Sequence, residues 1–156
     1  MNQKGFTLIE LLIVIAIIAI LAGVVFVALD PLTRFQEARD ATRWQDVTAV
    51  LSAIKINQVD NGGSYLAAIA ATTAGSNYMI GTGGTGCDTG CTAITTQAAC
   101  LDLTGLVTAG YLGKVPTDPS SGTSAKTLYY LNRTATGIVT VGACVPEHAT
   151  AIGVTR

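Results

Sequence analysis

The sequence is poor in charge and in the side chains that most often carry catalysis or hold metals. Only 12% of its 156 residues are charged, the net charge is −1, and His148 is the single histidine. This charge balance gives no basic footprint for nucleic acid. No nucleophile–base set is available beyond His148 and no spacing suggests a catalytic carboxylate pair, so an enzyme is not indicated. We expect His148 itself to lie on the surface.

The sequence also lacks a Cys-x-x-Cys pair, which together with the lone histidine argues against a zinc site. Its cysteines are Cys87, Cys91, Cys100 and Cys144. All of them follow an apolar N-terminal run, so we expect disulfides if that part of the chain lies outside the cytoplasm, with free thiols as the alternative. Three connectivities are open, and the one we predict joins Cys100 to Cys144 and Cys87 to Cys91.

Long apolar stretches are not lacking, because residues 6–29 form a run of 24 residues with a single charge, Glu10. About 20 apolar residues cross a bilayer as a helix, whereas the apolar part of a cleaved signal peptide has about 7–15. A retained membrane anchor fits better, with Lys4 on the cytoplasmic side and residues after 29 outside. A charged side chain near the centre of a membrane helix costs about 2.5–3.5 kcal/mol, and less near an end. Glu10 therefore calls for a functional explanation.

Asp30 and Pro31 interrupt this run. Proline inside a helix removes a backbone hydrogen bond, yet Asp followed by Pro is also a good helix start, so we expect a kink or a stop and restart. Beyond it, a helical stripe ends at Asn61-Gly62-Gly63 and has members at spacings of three and four: Phe35, Ala38, Ala41, Trp44, Val47, Leu51, Ile54 and Gln58. Phe35 and Trp44 are expected to pack within the stripe. The charged residues lie largely off it: Arg39, Asp40, Arg43 and Asp46.

The rest of the chain predicts a small head of loops, one short helix and a few strands. Residues 62–95 are predicted to be loop with a short strand at 78–80, and the glycines there lack the GK[ST] and the strand–helix context of a phosphate loop. A helix capped by Thr95 or Thr96 is expected to carry Cys100 and to end at Gly110. Strands are predicted at residues 127–132 and 137–144, with a hairpin loop at 133–136.

The stretch Lys4-Gly5-Phe6-Thr7-Leu8-Ile9-Glu10-Leu11-Leu12 resembles the start of type IV prepilins and of the related type II secretion pseudopilins. The resemblance implies an α+β pilin fold, in which a long N-terminal helix, half membrane-spanning and half amphipathic, packs on a small antiparallel C-terminal sheet. The implied organisation is a leader peptide at residues 1–5, a transmembrane and filament-core helix at 6–30, an amphipathic half at 31–61 and a loop-rich head at 62–156.

The resemblance also implies roles for residues around the start of the helix. A membrane prepilin peptidase would cut between Gly5 and Phe6 and methylate the new amine of Phe6. Glu10 would attract the Phe6 amine of a neighbouring subunit or of its own chain. Thr7 would either hydrogen-bond near the same contact or serve only as a satisfied threonine at the helix start. The apolar helix would sit in membrane lipid first, and the inner-membrane assembly machinery would then build it into a homo-oligomeric helical filament.

One departure from the family concerns the helix itself. Many type IVa pilins have a proline where this chain has Val27. The helix breakers here are Gly23 and Pro31, and any segment that melts during assembly is expected between them.

A second resemblance concerns residues 111–119, which look like the approach to the C-terminal strands of major pseudopilins and some bacterial pilins. In major pseudopilins, a C-terminal loop near a similar Asp-Pro holds calcium. Calcium needs 6–8 oxygen ligands, and no second carboxylate lies near Asp118 in the sequence. Asp118 is thus a calcium candidate weighed against an ordinary Asp-Pro turn, and no other cofactor is expected.

Three functional hypotheses remain. The leading one is a pilin-like filament subunit for adhesion, motility or DNA uptake, first in the inner membrane with a cytoplasmic N-terminus and then in an extracellular pilus. The alternative is a major pseudopilin of a type II secretion system, with a periplasmic filament. The cysteine-rich loop favours the pilin and residues 111–119 favour the pseudopilin. A single-pass anchored binding module, which would keep residues 1–5, is a rival of another class.

Overall fold

The computed structural model describes residues 5–156, so Lys4 and most of the predicted leader lie outside the described residues. Contacts between residues divide the chain into two units, the first ending at Phe35 and the second comprising Gln36–Arg156. The described part of the first unit is almost entirely helix, whereas the second combines helices with a sheet.

The first unit contains α1, which spans Leu8–Leu29, and the start of α2 at Pro31. All of the described residues before Pro31 are exposed. Among the described residues, the helix that begins at Leu8 is the one element long and apolar enough to cross a membrane. Asp30 separates α1 from α2 and has a left-handed φ of 37°, because Pro31 lacks an N–H and disfavours helical geometry in the residue before it.

The expected helix break at Gly23 is wrong, since α1 continues through this residue. A glycine inside a helix costs about 1 kcal/mol relative to alanine, which does not end a helix embedded in a long apolar run. The interruption is confined to Asp30, whose side chain accepts a hydrogen bond from the Thr33 hydroxyl at 2.6 Å and whose carbonyl accepts one from Arg34 N at 3.3 Å. Melting of this region on assembly stays a prediction.

Helix α2 spans Pro31–Asp60. From Val47 onwards its buried face follows the predicted stripe, with Leu51 and Ile54 in the core. The expected packing of Phe35 and Trp44 is wrong, because these side chains are 64% and 42% exposed. In the part of α2 between Gln36 and Asp46, the buried residues are instead the charged Asp40 and Arg43.

The sheet of the second unit has five strands in the order β2-β1-β3-β4-β5. The strands are β1 Asn77–Ile80, β2 Gln97–Leu101, β3 Tyr129–Arg133, β4 Val139–Ala143 and β5 Gly153–Thr155. All neighbouring pairs are antiparallel except β1 and β2, which are parallel. The predicted strand at 78–80 and the hairpin formed by β3 and β4 are confirmed, and so is the α+β class.

Two short helices, α3 Ala67–Ala70 and α4 Thr104–Thr108, complete the second unit. The helix expected to carry Cys100 is therefore misplaced, since Cys100 lies on β2 and α4 begins four residues later. The sequence QAACL has too few periodic apolar residues to distinguish an edge strand from a helix. One apolar core between α2 and the sheet is formed by residues that include Val47, Leu51, Ile54, Ile80, Leu106, Leu131 and Val141.

The four cysteines form two disulfides, Cys87–Cys100 and Cys91–Cys144, so the predicted connectivity is wrong. Backbone pairing explains the difference. Cys87 N donates to Ala98 O at 3.0 Å, which places the loop before residue 88 along the outer edge of β2, next to Cys100. Ala93 N donates to Cys144 O at 3.0 Å, which places the segment that contains Cys91 next to Cys144, directly after β4.

Candidate assembly site and the ionic clasp of the head

The N-terminus of α1 is closed by two residues that satisfy each other, Thr7 and Glu10. Thr7 N–H donates to Glu10 Oε2 at 2.9 Å, and the Thr7 hydroxyl donates to the same oxygen at 2.8 Å. Glu10 N–H in turn donates to Thr7 Oγ1 at 3.3 Å. This reciprocal arrangement is a capping box, in which a Thr at the N-cap and a Glu three residues later satisfy two otherwise unpaired backbone donors.

The Glu10 carboxylate is thus fixed on the first turn of α1, and one of its two oxygens accepts hydrogen bonds. Both hydrogen bonds from Thr7 reach Oε2, so Oε1 accepts no hydrogen bond from the described residues. The partial positive charge of the helix N-terminus also favours a carboxylate at this place. The arrangement leaves an oriented, negatively charged oxygen that a cation from another source can reach.

Gly5 and Phe6 precede α1 in a stretch without regular structure, and both are exposed, Phe6 to 83%. A Cβ added at Gly5 would meet nothing within 4 Å, and its φ lies outside the left-handed region. The described fold therefore places no demand for glycine at position 5. A requirement for glycine there would come from a protein that acts on the Gly5–Phe6 bond.

The described part of the first unit consists mainly of α1, whose surface is apolar. Its side chains are exposed along the whole helix, including Leu12, Ile15, Ile18, Leu21, Val25 and Phe26. Soluble monomers rarely expose contiguous apolar patches above a few hundred Å². A surface of this kind needs lipid or other apolar helices around it.

The second unit contains a cluster of five charged side chains, which we call the ionic clasp: Arg39, Asp40, Arg43, Asp118 and Glu147. Arg43 lies at its centre and is fully buried. The clasp joins α2 to the turn at Asp118 and to the loop between β4 and β5.

All five N–H donors of the Arg43 guanidinium have partners. Nε and Nη2 donate to the two oxygens of Asp118 at 2.6 and 3.0 Å, a bidentate pair. Nη1 donates to Asp40 Oδ1 at 2.7 Å and to Glu147 Oε2 at 3.1 Å, and Nη2 also donates to Ser120 Oγ at 3.3 Å. A buried guanidinium is tolerated when every donor is satisfied, and these bonds outweigh the effect of burial and raise the pKa of Arg43.

The Asp40 carboxylate holds the loop between β4 and β5 by accepting hydrogen bonds from the backbone of that loop. The N–H groups of Glu147, His148 and Ala149 donate to its carboxylate at 3.1, 2.7 and 2.7 Å. Burial alone would raise the pKa of Asp40, but the hydrogen bonds from these three amides and from Arg43 lower it from 3.8 to about 2.

The Asp118 carboxylate belongs to the clasp, whereas the sequence offered either a calcium ligand or an ordinary Asp-Pro turn. Burial would raise the pKa of Asp118, but Arg43 and Ser120 lower it through hydrogen bonds. Both oxygens bond to the Arg43 guanidinium, so a positive charge already stands where a cation would bind. In residues 5–156, no group of three or more His, Cys, Asp or Glu side chains is placed to hold a metal ion.

The clasp has no counterpart among the sequence-based predictions, because its members come from three distant segments. The i,i+3 spacing of Asp40 and Arg43 was visible, but it is equally typical of a solvated helix face. His148 has an exposed side chain, 3.9 Å from Glu37, while its backbone N–H belongs to the set that binds Asp40. The sequence offers one weak signal for the clasp. An arginine on the helix, Arg43, occurs together with the pair Asp118-Pro119 and with Glu147 near the C-terminal end.

Comparison with known proteins identifies the N-terminal segment. No curated protein and no solved structure shows significant similarity to the chain. Residues 1–26 match the family model of the prokaryotic N-terminal methylation motif. The matched segment includes the Gly5–Phe6 bond, the capping box and most of α1. The chain therefore carries the prepilin-type signal that type IV pilins and pseudopilins share.

Proposed function

We propose that this chain is a structural subunit of a type IV pilus-like filament, processed by a prepilin peptidase and assembled through its N-terminal helix. The observation that carries the proposal is the methylation motif at residues 1–26, joined to a 22-residue apolar helix that has no buried residue. The same apolar surface suits lipid before assembly and neighbouring helices afterwards. The chain would reside in the inner membrane with a cytoplasmic N-terminus and then in the filament.

The contact that selects the subunit register would join Glu10 to the N-methylated amine of Phe6 in a neighbouring subunit. Thr7 donates both of its hydrogen bonds to one carboxylate oxygen, and the other oxygen accepts none from the described residues. Inside an apolar filament core, an amine and a carboxylate that miss each other would both stay unpaired, at high cost. The pair would thus exclude wrong registers, while apolar packing along α1 supplies most of the cohesion.

We propose that the subunit has no catalytic activity of its own. Its buried charged groups are committed to the ionic clasp, where Arg43 has a partner for each of its donors. This saturated arrangement suits a structural cluster and not a reacting group.

Between a surface pilus and a periplasmic pseudopilus, two observations favour the pilus. Two disulfides fasten the residue 81–95 region to β2 and to Cys144 directly after β4, and pseudopilins of this kind usually lack such cross-links. The calcium site expected of a major pseudopilin would use Asp118, and that carboxylate is bound to Arg43. Adhesion, motility and DNA uptake are the roles open to such a pilus. Recovery of surface filaments that contain this chain would support it, whereas a purely periplasmic chain would support the pseudopilin.

The test of the whole proposal is the intact mass of the mature chain from a host that has prepilin peptidase. A chain that begins at N-methylated Phe6 supports a filament subunit. A chain that keeps Met1 would overturn processing and would favour a single-pass anchored binding module.

A further inference from the structure

The loop between β4 and β5, residues 144–152, is attached to α2 through the ionic clasp. Three of its backbone N–H groups bind the Asp40 carboxylate. The Glu147 carboxylate accepts hydrogen bonds from Arg39 at 2.5 and 3.0 Å. The hydrogen bonds between this loop and α2 therefore all involve a charged side chain, and Val145 and Ala149 add partly buried apolar contacts.

The two ends of the loop are fastened in other ways. Cys144 is joined to Cys91 by a disulfide and donates its N–H to Leu128 O at 2.9 Å. Ile152 is buried in the apolar core and accepts a hydrogen bond from Ala143 N at 2.9 Å. Neither fastening depends on the charge of a side chain, so the middle of the loop can open while its ends stay in place.

Arg43 makes the clasp sensitive to the charge of its partners. Its guanidinium keeps its proton at every accessible pH and is fully buried. Protonation of Asp40, Asp118 and Glu147 would leave this cation without its counter-charges, and an unpaired buried charge is strongly destabilising. The guanidinium would then have to reach water, which requires the elements around it to separate.

We propose that the ionic clasp is an acid-released lock for residues 145–151, which leave α2 when the clasp carboxylates are protonated while the sheet, the disulfides and the apolar core stay folded. The lock would allow the face of α2 beneath the loop to be uncovered without unfolding the head. This role is independent of the filament proposal, because it concerns only contacts within Gln36–Arg156.

The pH range follows from the carboxylates that face Arg43. The pKa of Asp40 falls from 3.8 to about 2 in the folded chain, so its contribution is complete above its unfolded value and is lost as the pH falls towards 2. The Arg39 hydrogen bond chiefly lowers the pKa of Glu147, so this group acts in the same direction. The other charged groups nearby lie at the rim: Glu37 and His148 are partly exposed and contact each other at 3.9 Å, and Asp46 bonds to the Tyr129 hydroxyl at 2.7 Å outside the clasp.

The test uses the full chain in detergent micelles and measures amide hydrogen-exchange protection factors by NMR. The amides of Glu147, His148 and Ala149 report the clasp directly, and the amides of β3 and β4 report global unfolding. Between pH 5 and pH 2.5, we expect protection at residues 147–149 to fall at least 10-fold while the strand amides keep theirs. Loss of protection at both places together would overturn the proposal.

Variants separate the lock from general stability. Asp40→Asn should lower protection at 147–149 at least 10-fold already at pH 6 and remove most of its pH dependence, and Glu147→Gln should give a smaller effect of the same sign. Asp46→Asn is the matched control on the same helix and should leave these amides unchanged. The proposal fails if Asp40→Asn keeps full protection, or if Asp46→Asn lowers it equally.

Discussion

Thr7 and Glu10 close the first turn of α1 by exchanging hydrogen bonds, with Thr7 N–H and hydroxyl both donating to Glu10 Oε2 at 2.9 and 2.8 Å. This gives Glu10 two separable properties. Its side chain completes a helix cap, and its charge is available to a cation outside the chain. Substitutions can remove one property and keep the other.

Glu10→Leu should leave membrane insertion intact or improve it, because a charge is removed from an apolar helix. Filament assembly should be lost or slowed, because the amine of Phe6 in the next subunit would find no partner. Membrane fractionation and the yield of sheared filaments measure the two effects. Normal filament yield from Glu10→Leu would count strongly against the pairing role.

Glu10→Gln is the matched control for the cap. Glutamine keeps a side-chain acceptor three residues after Thr7, so the capping box can still form. If charge is what matters, Glu10→Gln should assemble as poorly as Glu10→Leu. Assembly close to that of the unsubstituted chain would instead assign the effect to the cap.

Substitution of Gly5 by a bulky residue such as leucine should block processing without affecting the fold. The structure has open space around this position, with nothing within 4 Å of an added Cβ. A folded chain of unprocessed mass is therefore the expected product, and mass spectrometry measures it. Detection of fully processed Gly5→Leu protein would contradict cleavage at the Gly5–Phe6 bond.

The two disulfides should contribute unequally to stability. Cys91–Cys144 closes a separation of 53 residues and Cys87–Cys100 closes 13. The chain-entropy relation gives about 4 kcal/mol for the longer loop and about 3 kcal/mol for the shorter one. Paired Cys→Ser variants, with denaturant unfolding of each, compare the two, and a larger loss from removal of Cys87–Cys100 would contradict this ranking.

The helical and strand elements with strong local patterns could be predicted from the sequence, and those set by distant partners could not. The long apolar run, the break at Asp30-Pro31 and the β3–β4 hairpin follow from periodicity and turn residues. Cys100 was placed on a helix because β2 has no alternation of its own: its conformation depends on parallel pairing with β1. Local propensity is weak against such tertiary pairing.

The residues of the candidate site also divide into those that local sequence could predict and those that depend on distant partners. The Thr7–Glu10 pair is local, so its spacing in the sequence already indicates a cap. Arg43 lies off the predicted apolar stripe, which runs through Trp44 and Val47 in this part of α2. In the fold, Arg43 takes an apolar residue's place because Asp118 and Glu147, 75 and 104 residues away, satisfy it. No pattern within one helix carries that information.

Calcium should have no effect on the stability of the head. Asp118 is bound through both oxygens to Arg43, so binding of Ca²⁺ would require this pair to break. The midpoint of thermal unfolding should be the same in millimolar Ca²⁺ and in EDTA. A rise in the midpoint with Ca²⁺, lost in Asp118→Asn, would restore the pseudopilin-like site.

Substitution by alanine should lower the stability of the head at Gly81 but not at Gly113. A Cβ at Gly81 would lie 2.1 Å from the backbone oxygen of Ala125, so the segment after β1 would have to move away from residues 124–126. Overpacking of this kind costs about 1–3 kcal/mol. At Gly113 a Cβ meets nothing within 4 Å and φ lies outside the left-handed region, so alanine should be neutral or stabilise by reducing the freedom of the unfolded chain. Urea unfolding of the two variants measures the difference, and equal stability would show that the close approach of Gly81 to Ala125 is not maintained in solution.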